Sequence, residues 1–223
     1  GTFGKYNAIS FNGNKIITGS AGGCLLTNDK EVADKARKWS TQAREDAPWY
    51  QHEEIGYNYR MSNVIAGVVR GQLPYLEEHI AQKRAIYERY KADLAGLPVQ
   101  MNPYDAENSV PNFWLSCMII DGCAVGEGRG KTTPAKILES LADMNAEGRP
   151  IWKPMHMQPV YRGHAFVTAA GKEGDRAFSG KEGADTSVGA DIFARGLCLP
   201  SDNKMTPDQQ DAIIAAIREC FEG

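Results

Sequence analysis

Ser10-Phe11-Asn12-Gly13-Asn14-Lys15-Ile16-Ile17-Thr18-Gly19-Ser20-Ala21-Gly22-Gly23 holds a lysine in a turn between two apolar runs. Asn12-Gly13 carries turn chemistry, and Gly19, Gly22 and Gly23 tolerate backbone angles that other residues resist. The chain can therefore double back and leave one amine aimed into a cavity, where a lysine can form a Schiff base. The residues alone leave a second reading open, a solvated surface charge, because a glycine-rich hairpin by itself demands no cofactor.

Downstream of the lysine, Cys24-Leu25-Leu26-Thr27 reads as a strand and Asn28 as a helix cap, with Glu31 placed for a reciprocal capping-box contact. Val32, Ala36, Trp39 and Ala43 recur at helical spacing, which makes Trp39 a packing residue before a ligand contact. Gln42 and Arg44 lead into a polar, aromatic loop. Ser62 is placed to cap a further helix carrying Val64, Ile65, Val68 and Val69. The pattern from Leu73 to Leu94 is a long helix bent at Pro74, which lacks a backbone donor, and it ends at Gly96 and Pro98. Phe113–Ile120 has the content of a buried strand rather than an alternating one. Thr133-Pro134 opens a helix with Ile137, Leu138 and Leu141 on its apolar face, and Val188, Ile192 and Phe193 mark one face of a short helix. Thr206, Pro207 and Gln209 form the start of the last helix, whose buried face is Ile213, Ala216, Ile217 and Cys220 with Ile214 at the edge. Gly122–Gly130 and Gly171–Gly189 read as flexible surface loops.

Composition bounds the function classes. The 223 residues are 42% hydrophobic with a formal charge of −3, enough to bury a substantial core. Lys and Arg total 25 against 28 Asp and Glu, with no extended basic patch, so nucleic acid is not an expected partner. Cys24, Cys117, Cys123, Cys198 and Cys220 show neither Cys-x-x-Cys spacing nor disulfide-scaffold density, which fits core thiols in a reducing, cytoplasmic setting without a metal site. No apolar run reaches membrane-spanning length, so no membrane partner is expected. No internal repeat is present.

Four ordered blocks carry a resemblance: the lysine segment, then Gly56-Tyr57-Asn58-Tyr59-Arg60-Met61-Ser62-Asn63, then Arg149-Pro150-Ile151-Trp152-Lys153-Pro154-Met155-His156-Met157-Gln158-Pro159, and last Gly196-Leu197-Cys198-Leu199-Pro200-Ser201. Together they resemble the DegT/DnrJ/EryC1/StrS family of sugar aminotransferases that use pyridoxal 5'-phosphate. The resemblance implies the distal part of a fold-type I transferase, with residues 1–84 a remnant of the large cofactor-binding α/β domain and its linker helix, and residues 85–223 a small C-terminal α/β domain. Family members match only over their second half. The acidic partner of the pyridine nitrogen, the group covering the ring and much of the phosphate loop precede this segment in the family, so the chain is expected to be a fragment that is inactive alone.

By the same resemblance, Lys15 is the cofactor lysine and proton shuttle, and Asn58 is the amide that one subunit lends to the cofactor phosphate of its neighbour. That arrangement requires a homodimer with shared active sites. Read without the family, Asn58 is a loop amide bonded to nearby backbone, and Arg60 an organiser of that loop through an ion pair. Tyr57, Arg60, Trp152, Lys153, His156 and Gln158 are the expected substrate-binding residues; His156 lines the site rather than carrying the central proton transfer. Retention of Lys15 separates the chain from the related sugar dehydratases, which carry histidine there. The implied reaction moves an amino group from glutamate to a nucleotide-linked 4-keto-6-deoxy sugar, and the blocks at Trp152–Gln158 and Gly196–Ser201 resemble the UDP-4-amino-sugar enzymes of the bacillosamine pathway. A C3-keto sugar, a cyclic polyol ketone and a purely structural or interaction role are the alternatives; Ser201-Asp202-Asn203 departs from the shorter glycine-containing segment of many relatives.

Overall fold

Asn7–Ser10 (β1) pairs antiparallel with Gly23–Leu26 (β2), Asn7 opposite Leu26 and Ser10 opposite Gly23. The computed structural model of the chain describes residues 1–167 and 187–222, and it divides into two units, Gly1–His79 and Ile80–Gly223. Most of the expected Gly171–Gly189 loop lies outside the described residues.

In the first unit the hairpin is followed by Lys30–Ser40 (α1) and Asn63–Gln72 (α2). Helix α1 starts one residue later than expected: Asp29, not Asn28, sits in extended backbone at φ −87° and accepts the Val32 N–H at 3.2 Å. Ser62 caps α2 as expected, accepting from Ile65 N–H at 3.3 Å. Pro74 falls in a 3₁₀ turn, Leu73–Tyr75, and the helix resumes as Leu76–Asp93 (α3), so the break predicted from the missing donor is present. Only Ile17, Ala43 and Val69 are buried apolar side chains among the described residues of this unit, whereas Ile55, Tyr59 and Val64 are at least three-quarters exposed.

Residues 41–60 of this unit are held by hydrogen bonds rather than by a core. Gln42 and Ala43 both take positive φ, 67° and 50°, and the Tyr57 and Gln42 peptides close over them through Gln42 N–H to Tyr57 O (3.0 Å) and Tyr57 N–H to Trp39 O (2.6 Å). Gly56 passes so near that a Cβ there would lie 2.2 Å from Ala43 N. The carboxylate of Glu54 collects Lys35 at 2.6 Å, Lys38 at 3.1 Å and the Trp39 indole N–H at 2.9 Å. Trp39 is thus half-exposed and polar-bonded, not the packing residue its spacing implied.

The second unit contains a four-stranded antiparallel sheet in the order β3-β4-β6-β5, formed by Val99–Met101 (β3), Ser116–Ile120 (β4), Arg149–Pro150 (β5) and Gly196–Leu199 (β6). Its helices are most of α3, Pro134–Asp143 (α4), Val188–Arg195 (α5) and Pro207–Glu222 (α6). Strand β4 starts later than the apolar run, because Phe113 adopts φ 51°, and it alternates: Ser116, Met118 and Ile120 are buried while Cys117 and Ile119 are partly open. The strand buried throughout is β6. Helices α4 and α6 pack Ile137, Leu141, Ile213 and Ile217 into one core with Tyr87, Tyr90, Met118 and Leu197. Ile214 is buried in it too, not at its edge, and α5 turns Val188 and Ile192 outward while burying Ala190. The two buried tyrosines satisfy their hydroxyls on backbone, Tyr87 on Asn102 O at 2.8 Å and Tyr90 on Pro200 O at 2.9 Å. Thr133 caps α4, and Thr206 with Gln209 forms the expected reciprocal box, 3.2 Å and 2.9 Å. Gly122–Gly130 contains a 3₁₀ turn, with Gly126, Gly128 and Gly130 at positive φ, and its Val125 bridges to Thr132 just beyond it.

Two outcomes follow from this packing. Truncating Ile217, which is fully buried, to Ala removes core contacts that cannot all collapse, and chemical denaturation should show a loss of about 2–5 kcal/mol. Glu54 has its carboxyl pKa lowered from 4.5 to about 2, first by Lys35, then by Trp39 and Lys38. A depressed folded-state pKa stabilises the folded state above 4.5 and ceases to do so as pH falls toward 2. Protection of the Tyr59 and Arg60 amides, taken relative to intrinsic exchange at each pH, should fall across that window, and Glu54→Gln should flatten the pH response.

Candidate active site

The lysine loop, residues 11–22, is closed at its base by Phe11 N–H to Gly22 O at 2.9 Å and Gly19 N–H to Phe11 O at 2.8 Å. It is longer than the tight turn suggested by Asn12-Gly13. Positive φ falls on Ser20 (67°) and Gly22 (100°) rather than on Gly13, Gly19 or Gly23. Gly19 is required for a different reason: a Cβ there would meet Ile65 Cγ2 at 2.6 Å and Val69 Cγ2 at 3.0 Å, both on α2. Lys15 is partly buried, and its backbone N–H closes a turn onto Asn12 O at 3.0 Å.

Thr18 is the hub of this loop. Its hydroxyl donates to Phe11 O at 3.4 Å and accepts from Ser20 N–H at 3.0 Å, while its own peptide N–H and C=O are both engaged by the Gln72 side chain. Sequence reading passed over Gln72 because its partner lies 54 residues away. It likewise passed over Glu54, although Lys35, Lys38 and Trp39 at helical spacing on α1 form the polar face that Glu54 meets.

Tyr57, Asn58 and Arg60 lie in the same unit as Lys15, on the segment leading into α2. Asn58 is exposed and forms an isolated antiparallel bridge with Thr41. Tyr57 stacks on Tyr59 with centroids 5.0 Å apart. Arg60 is exposed and enters no ion pair among the described residues, so it does not organise the loop in the way its charge suggested. Ser40 O does so instead, accepting from both Tyr59 N–H and Arg60 N–H at 3.0 Å.

The other candidates belong to the second unit. Trp152 and Lys153 are exposed on the segment after β5, with Trp152 inclined against Trp114 at 5.8 Å. His156 sits in a 3₁₀ turn, Met155–Met157, stacked on Phe166 at 4.0 Å, and Gln158 follows it, partly buried. Cavities of about 450 and 600 Å³ in this unit, and of about 640 Å³ beside Lys5, Asn7 and Asp29 in the first, are lined by none of the eight candidates. No group of three or more His, Cys, Asp or Glu side chains suited to a metal occurs among the described residues. No described helix is long and apolar enough to cross a membrane.

A primary amine on a tied loop and a primary amide are suited to a cofactor bearing an aldehyde and a phosphate: the amine can bond the carbonyl, and the amide can donate to phosphate oxygens. Comparison with known proteins points the same way. The chain is 42% identical over 223 residues to the putative pyridoxal phosphate-dependent aminotransferase EpsN of Bacillus subtilis, covering 99% of this chain and 52% of that protein. It is 33% identical over 221 residues to the GDP-perosamine synthase of Vibrio cholerae, covering 99% and 54%. A putative sugar aminotransferase of Streptococcus pneumoniae, Spr1654, solved in its PMP form, superposes with a TM-score of 0.79 at 17% identity, over 99% of this chain and 52% of that one. The chain thus has the fold of fold-type I aminotransferases and spans about half the length of the relatives it matches. Pyridoxal 5'-phosphate is the cofactor of this family's aminotransferases. The profile of the DegT/DnrJ/EryC1/StrS aminotransferase family matches residues 1–218, and the chain belongs to that family.

Proposed function

We propose that in the complete enzyme these residues serve the transfer of an amino group from glutamate to C4 of a UDP-linked 4-keto-6-deoxy sugar, giving 2-oxoglutarate and the 4-amino sugar. The observation that carries the reading is Lys15 itself, partly buried on a loop whose backbone is tied at Phe11, Gly19 and Thr18 within a chain of this family. When bound, pyridoxal 5'-phosphate would supply an electron sink beside the amino-bearing carbon. The Lys15 amine would hold the cofactor through its aldehyde and, when free, would move a proton at the substrate carbon. Asn58 donates to the cofactor phosphate of a partner subunit, which its exposure permits. Tyr57 and Arg60 of the first unit are candidates to contact the sugar nucleotide, and so, independently, are Trp152, Lys153, His156 and Gln158 of the second. Several large apolar side chains of the first unit are exposed, which favours a second reading, an interaction role for these residues on their own.

Borohydride reduction of the complete, active protein followed by peptide mass spectrometry should place the cofactor adduct on Lys15; an adduct confined to other lysines overturns the assignment. In mixed dimers carrying Lys15→Ala on one chain and Asn58→Ala on the other, a shared site puts both lesions in one pocket and leaves the second working. Complete inactivity of well-folded mixed dimers refutes the sharing. Turnover with UDP-, dTDP- and GDP-linked 4-keto sugars and a C3-keto sugar tests the substrate, and preference for the UDP compound is the expected result. Relatives named GDP-perosamine synthase make the nucleotide the decisive arm of that panel.

A further inference from the structure

Gln72, the last residue of α2, uses one side chain to complete the hydrogen bonding of one peptide residue in the lysine loop. Its Oε1 accepts from Thr18 N–H at 3.1 Å, and its Nε2 donates to Thr18 O at 2.6 Å and to Val68 O at 2.9 Å. A primary amide has the donor and acceptor of a peptide group, so this contact reproduces one rung of an antiparallel ladder between segments that share no strand. The bond to Val68 O, one turn back on α2, anchors the side chain to its own helix. Two further contacts seat the same loop: Gly19 lies against Ile65 and Val69, and a Cβ at Gly22 would meet Met61 Cε at 2.8 Å. Met61 directly follows the Tyr57–Arg60 segment and precedes the Ser62 cap. Helix α2 and its entry are therefore the common base for the Lys15 loop and for the segment that carries Asn58.

We propose that Gln72 is a positioning residue for Lys15: its amide fixes the height of the loop on α2 and so holds the amine, three residues before Thr18, at the place where the cofactor is captured. The role rests on the reading of Lys15 as the cofactor lysine. Neither leucine nor glutamate can replace the group. Leucine supplies neither bond, and glutamate, although of the same shape, keeps an acceptor for Thr18 N–H but sets a carboxylate oxygen against Thr18 O.

The test uses the complete protein with Gln72→Leu and Gln72→Glu. Gln72→Leu loses both bonds to Thr18, and Gln72→Glu loses one and sets a carboxylate against Thr18 O; either corresponds to roughly tenfold or more in the opening equilibrium, so hydrogen–deuterium exchange at the Thr18 amide should accelerate by about that factor. Pyridoxal 5'-phosphate affinity, followed by equilibrium titration and by the fraction of Lys15 captured with borohydride, should fall by about the same factor in both variants, with thermal unfolding of the second unit unmoved. A residue that only fills space would be rescued by the isosteric Gln72→Glu, and that rescue would overturn the proposal, as would faster Thr18 exchange with unchanged cofactor capture. If Gln72→Leu does not fold, Gln72→Glu alone decides. Absence of any adduct at Lys15 in the unsubstituted protein sinks the proposed function and the positioning role together, whereas a Lys15 adduct indifferent to Gln72 sinks the positioning role alone.

Discussion

Irregular backbone must find hydrogen-bond partners outside a regular ladder, and the first unit depends on meeting that demand with very little apolar burial. Its buried apolar side chains are Ile17, Ala43 and Val69, and one of each falls in the lysine loop, the 41–60 segment and α2. What surrounds them is polar bookkeeping of a local kind: a glutamine amide on Thr18, the Ser40 carbonyl receiving two N–H groups, and a glutamate receiving two lysines and an indole. Each contact orders a loop that carries a candidate site residue. Order in this unit is therefore electrostatic and geometric more than hydrophobic.

The second unit is built the other way. A continuous cluster joins α3, α4, α6 and the sheet, and its buried hydroxyls find backbone carbonyls nearby. Arg195 illustrates the economy of the arrangement: its guanidinium bonds both oxygens of Asp191 on its own helix, at 2.5 and 2.6 Å, and also reaches Ile120 O at the end of β4. Bidentate pairing of this kind holds the planar group in one orientation. A fixed guanidinium can then serve the carbonyl at the end of the strand.

Features encoded by near neighbours were legible in the sequence. Ser62, Thr133 and Thr206 each stand one residue before a helix, and their hydroxyls accept from N–H groups three residues on, so composition and spacing suffice. The Asn28-Asp29 pair shows the limit of that logic, since two good capping residues stand side by side and only the backbone angles select Asp29. The late start of β4 was hidden because a positive φ at a phenylalanine has no compositional mark. The family was legible from ordered motifs, but the contacts of Gln72 and Glu54 were not, because their partners come from distant segments whose approach depends on tertiary packing.

Gly56 limits how the chain can be re-engineered. The space that a side chain would occupy is filled by the peptide joining Gln42 and Ala43, main-chain atoms that cannot rotate aside. A mutagenesis library that tests whether Tyr57 affects selectivity can diversify the exposed neighbours Glu53 and Ile55 freely. Codon 56 should be held constant, because variants there would lose the shape of the segment before any change in selectivity could be read.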